Sequence, residues 1–156
     1  MCFVCLNKRA LRGNNPITVE TFQLFSSCNF TRSQLIQVLK YCSINSSIEL
    51  AKHLIHTYDL DVNNLSLKKA VKNKHIEMVK YIVDCGVAYD FIVLEKAAFS
   101  QVFRITKYLV KHNKDLLKRG DLIYLLSNLK IVKLLIKYGM DPNAGIFFTC
   151  KRYQYI

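Results

Sequence analysis

The stretch Asn73-Lys74-His75-Ile76-Glu77-Met78-Val79-Lys80-Tyr81-Ile82-Val83, followed by Asp84-Cys85-Gly86, specifies the fold. Ile76, Val79, Ile82 and Val83 fall at i, i+3, i+6 and i+7, which is one face of an α-helix. Glu77 and Lys80 fall on the opposite face. Gly86 stands where such a helix ends and the chain must turn with positive φ, a conformation that glycine adopts without steric cost.

The pattern recurs on both sides. Ile48-Glu-Leu-Ala-Lys-His-Leu-Ile55 precedes it, and Phe103-Arg-Ile-Thr-Lys-Tyr-Leu-Val110 and Leu129-Lys-Ile-Val-Lys-Leu-Leu-Ile136 follow it. The shared lysine sits at 52, 80, 107 and 133, giving periods of 28, 27 and 26 residues. Gly139 closes the last segment as Gly86 closes the second, and Asn113 is expected to take the same left-handed place in the third. A fixed period of this size marks a repeat architecture.

A shorter apolar pattern precedes each of these helices. Leu39-Lys-Tyr-Cys-Ser43, Leu67-Lys-Lys-Ala-Val71 and Leu94-Glu-Lys-Ala-Ala98 each begin nine residues ahead of the next helix's first apolar residue, and Leu122-Ile-Tyr-Leu-Leu126 begins seven ahead. The small residues Cys42, Ser43, Ala70, Ala97 and Ala98 suit a helix whose backbone approaches its neighbour closely. The unit is therefore a short helix, a turn, a longer helix and a loop. Helices are predicted near 33–43, 47–57, 66–72, 75–84, 93–99, 102–112, 121–127 and 129–137. Leu54, Ile82, Leu109 and Leu135 are predicted to be core residues.

On these residues the chain resembles the ankyrin-repeat family. Residues 73–83 follow the family's Gly-His-Leu-Glu-Ile-Val-Lys-Leu-Leu-Leu stretch nearly position by position, and Gly139-Met-Asp-Pro-Asn143 is similar to its Gly-Ala-Asp-Val-Asn. The resemblance covers about residues 33–144. The family's Thr-Pro-Leu-His opening is missing, and the period is shorter than the usual ~33 residues. Such shortened, Lys- and Tyr-rich repeats resemble those of large DNA viruses. The implied fold is all-α: a short solenoid of about four ankyrin-like helix pairs.

Residues 1–32 stand outside the repeat as an N-terminal extension, in which 17–32 reads as a helical cap or an eroded repeat; a cap is expected because a terminal repeat otherwise exposes an apolar face. Within them, 17–26 has an amphipathic pattern with Val19, Phe22, Phe25 and Ile17 inward. Thr31-Arg-Ser-Gln34 has capping-box spacing ahead of the next apolar run. The repeats divide near 33–63, 64–90, 91–118 and 119–144, and residues 145–156 form a C-terminal tail. The total of 156 residues fits one domain.

Chemistry finds little footing in this sequence. Cys2 and Cys5 have metal-ligand spacing but no second pair, so no metal site is assigned. His53 and His56 lack a third ligand. His75 occupies the position of the family's structural turn histidine. There is no glycine-rich phosphate loop, nucleophile motif or acid/base carboxylate pair, so no enzyme and no cofactor are expected. No secretory signal or apolar run of ~18 residues is present, which predicts an intracellular chain with reduced thiols and no membrane span.

Lys and Arg number 23 against 11 Asp and Glu, a formal net charge of +12. Such a balance attracts acidic partners. Ankyrin stacks dock partners on the concave surface made by the first helices and loops, where this chain offers Lys68, Lys69, Lys72, Glu95, Lys96, Gln101 and Tyr124. The expected function is a non-catalytic scaffold or adaptor for a protein with an acidic surface, a host protein if the chain is viral. The alternative is a basic nucleic-acid-binding module. The lysine ladder 52, 80, 107 and 133 reads as a solvated face.

Overall fold

The computed structural model describes residues 17–24, 29–119 and 128–142, and among them every regular element is helical. The chain divides between Ala88 and Tyr89 into two compact units.

The first unit opens with α1, Val19–Gln23, whose start is held by a reciprocal cap between Thr18 and Thr21. Phe22 is buried, stacks on Phe30 at 5.4 Å between ring centroids and meets the edges of His53 and Tyr58. It therefore fastens α1 onto the helix that carries His53 and Tyr58. The expected reach of this segment to Phe25 and beyond lies outside the described residues.

Two helix pairs come next in the chain. The first joins α2, Arg32–Asn45, to α3, Ile48–Tyr58. Thr31 and Gln34 form the capping box that their spacing predicts. The second pair joins α4, Leu67–Lys72, to α5, Ile76–Asp84. Between the pairs, Asp61 accepts from the Asn63 N–H and starts a 3-10 turn at Val62–Asn64. The first helices α2 and α4 also pack on each other. The small residues of these helices, Cys42, Ser43 and Ala70, are fully buried. Ser43 Oγ accepts from the Ser66 N–H at 2.9 Å, joining α2 to the N-cap of α4.

The second unit holds α6, Phe91–Phe99, paired with α7, Phe103–His112; a 3-10 segment, Lys114–Arg119; and α8, Leu129–Lys137, which packs on α7. Asp90 caps α6 by accepting from the Val93 N–H. The Tyr89 hydroxyl donates to the Leu109 carbonyl at 2.7 Å. The predicted helix 121–127 lies outside the described residues.

The repeat register sets the core. Leu54, Ile82, Leu109 and Leu135, each two residues beyond a ladder lysine, are all fully buried. Each contributes on the order of 2 kcal/mol through removal of apolar surface from water.

The turns bring one correction. Gly86 and Gly139 have φ of 82° and 104°, as their places require. Asn113 does not share that conformation: its φ is −142°. Asn113 leads straight into the 3-10 segment, so the chain leaves α7 extended and not through a left-handed reversal. Left-handed backbone occurs instead at Ser46, Asp59, Lys74 and Gln101. Three of these, Ser46, Lys74 and Gln101, occupy the same place, two residues before the second helix of each pair.

Candidate protein-binding face

The short helix α4 separates cleanly into two faces. Leu67, Ala70 and Val71, at i, i+3 and i+4, are buried, while Lys68, Lys69 and Lys72 are exposed. Packing against α2 and α5 fixes the helix, and its polar side turns three cations outward. Lys69 and Lys72 lie in the last turn, where the helix dipole favours positive charge.

In the second unit, α6 buries Val93, Leu94, Ala97 and Ala98 and exposes Lys96. Glu95 is half-buried. Gln101 is exposed but stands off the helix, in the left-handed turn ahead of α7. Tyr124 lies outside the described residues. The structure thus brings together Lys68, Lys69 and Lys72 on one helix and Glu95 with Lys96 on another, with Gln101 in the turn that follows the latter.

The lysine ladder is not uniform. Lys52 pairs with Glu49 and Lys80 with Glu77, each at 3.0 Å. Lys52 Nζ also lies 5.9 Å from the centre of the Tyr81 ring, linking α3 to α5. One position after the first residue, where α3 and α5 carry Glu49 and Glu77, α7 carries Arg104 and α8 carries Lys130. This change of sign was legible in the sequence by comparing that single column across the four helices; attention to the shared lysine alone passes over it.

His75, His53 and Cys42 serve packing. His75 Nε2 donates to the Ile44 carbonyl at 2.7 Å, and His53 lies against Phe22. Cys42 is buried, and burial pushes its thiol up to about 12, whereas Cys85 is exposed. Among the described residues no three His, Cys, Asp or Glu side chains gather as a metal site. Cys2, Cys5, Cys28 and Cys150 lie outside the described residues. Among the described residues no helix is long and apolar enough to cross a membrane.

Paired helices in a fixed register, small residues between first helices and a histidine tying one pair to the next define an ankyrin-type helical repeat. Comparison with known proteins agrees. The chain is similar to an ankyrin repeat protein of Acanthamoeba polyphaga mimivirus, 27% identical over 135 residues, which is 86% of this chain and 41% of that protein. It thus spans about two fifths of the length of the curated relative it matches. No family model matches the chain, and no solved structure does. Fold and similarity together describe a run of ankyrin-like helix pairs, similar to a mimivirus ankyrin repeat protein.

Proposed function

We propose that the chain is a non-catalytic protein-interaction scaffold, viral in use, that engages an acidic surface of a host protein through the first helices of its repeats. One observation carries the reading: α4 spends its apolar half on the core and presents Lys68, Lys69 and Lys72 together to solvent. Lys96 extends the same preference to α6, and Glu95, Gln101 and Tyr124 complete the proposed contact set. Charges of this kind steer the approach of an acidic partner and fix its orientation, with an effect that weakens as salt rises. The similarity to an ankyrin repeat protein supports the same reading.

The test is co-purification of the full chain from expressing cells, with retained proteins identified by mass spectrometry. Lys68→Glu, Lys69→Glu and Lys72→Glu together should release a partner that reversal of Lys52, Lys80 and Lys107 leaves bound. The opposite outcome places the working face on the second helices and rejects the reading.

A further inference from the structure

The second helices of the two units carry opposite charge plans on one register. Along the arc set by the first cation position, α3 presents Glu49, Lys52 and His56, and α5 presents Glu77, Lys80 and Asp84. At the same places α7 presents Arg104, Lys107 and Lys111, and α8 presents Lys130, Lys133 and Lys137. All six of these cations are exposed. Neither α7 nor α8 contains an acidic residue. At 3.6 residues per turn, each row of three falls within about 60° of arc. Like charges at i+3 and i+4 repel and weaken a helix. A face that only keeps the chain soluble has no need of that cost, as α3 and α5 show by closing ion pairs at 3.0 Å.

We propose that this face of α7 and α8 is a binding surface for the phosphate backbone of a nucleic-acid duplex. It is a different surface from the first-helix face and has a different partner. The dimensions fit. Each row spans seven residue steps, about 10.5 Å at 1.5 Å per step. Helices packed as α7 and α8 are lie about 8–10 Å apart. Along one strand phosphates recur about every 3.4 Å of axis, so the length of a row meets about three phosphates, one for each of its cations, and the two rows together meet about six. A uniform polyanion complements a face of one sign better than a protein surface, which mixes both signs with apolar anchors. A membrane fits less well. On each helix the exposed Phe103, Leu129 and Ile136 fall outside the arc of that helix's own cations. Point charges on phosphates position a duplex without reading its sequence.

The experiment is fluorescence anisotropy of a labelled random-sequence DNA duplex of about 20 base pairs, titrated with the full chain across a salt series. The logarithm of the binding constant should fall linearly with the logarithm of salt, with a slope of about −5 for six phosphates. Lys107→Gln, Lys133→Gln and Lys137→Gln together should weaken binding at least about tenfold and reduce the slope by about 2.7. Lys40→Gln, Lys52→Gln and Lys80→Gln, an equal loss of charge, should leave the slope within about one of the parent value. Circular dichroism confirms folding. Should the triple variant unfold, Lys107→Gln and Lys133→Gln singly should each lower the slope by about 0.9. Equal losses in the two triple variants overturn the assignment, because binding then tracks net charge alone. Absence of duplex binding overturns it, as does a duplex displaced by phosphatidylserine vesicles or polyglutamate at equal charge.

Discussion

His75 Nε2 donates a 2.7 Å hydrogen bond to the carbonyl oxygen of Ile44, 31 positions earlier. Ile44 lies in the last turn of α2, where carbonyls have no partner within their own helix. The turn ahead of α5 therefore completes the end of α2 and locks the two pairs of the first unit in register. His75→Leu keeps much of the bulk but leaves that carbonyl unpaired. It should lower unfolding free energy by about 1–3 kcal/mol, measured by urea denaturation. A loss indistinguishable from zero would show that the bond adds nothing to the packing.

Ile82 and Lys80 test the helix phase. Ile82 is fully buried, and Ile82→Ala should cost about 2–5 kcal/mol, because a cavity adds to the lost transfer energy. Lys80→Ala breaks only a surface pair with Glu77 and should cost less than about 1 kcal/mol. Equal losses would contradict the assigned face.

Two backbone substitutions should act in opposite directions. Lys74 has φ of 64°, a region that costs a residue with a Cβ about 1–2 kcal/mol. Lys74→Gly removes that strain and returns part of it as chain entropy, for a net gain of about 0.5–1 kcal/mol in thermal unfolding. Gly86 has φ of 82°, with no atom within 4 Å of where a Cβ would stand. Gly86→Ala should therefore cost about 1 kcal/mol through backbone strain alone, with no clash to relieve.

Thiol labelling separates the two described cysteines. The thiolate is the reactive species, and burial holds the Cys42 thiol near 12, so at pH 8 it should stay unlabelled until the chain unfolds. Cys85 is exposed and should label in the native state. Peptide mapping after timed alkylation reads both, and rapid native labelling at Cys42 would refute its burial.

Alkaline titration bears on Tyr89. Burial pushes its phenol up to about 12 from an ordinary value near 10. The folded state thus holds the proton more tightly than the unfolded state. The associated stability is complete below pH 10 and is lost as pH rises toward 12. Tyr89→Phe loses the bond to Leu109 and about 1 kcal/mol at neutral pH, but its stability should fall less steeply across that window. Some decline should remain, because burial and the neighbouring Cys85 and Glu49 push Tyr81 up to about 12 as well.

The elements and their phase are written locally, in the order of residues along the chain. Ile76, Val79 and Ile82 announce a helix because the α-helical period is local, and the recurring lysine carries that phase to the other three second helices. The box at Thr31 and Gln34 was legible for the same reason, since cap and acceptor lie three residues apart. What meets across distance is settled by packing. Nothing in the sequence names Ile44 as the partner of His75, Ser43 as the acceptor for Ser66, or Leu109 as the acceptor for Tyr89. Those pairings exist only once helices with small contact residues have packed closely. The same packing forces Ser46, Lys74 and Gln101 into left-handed turns that their types disfavour, while Asn113, which could have adopted one, stays extended because it opens onto a 3-10 segment. The excess of positive charge is a matter of composition. Its arrangement along the helices is legible column by column, and the folded structure adds the 3.0 Å ion pairs on α3 and α5 and the exposure of the cations on α7 and α8.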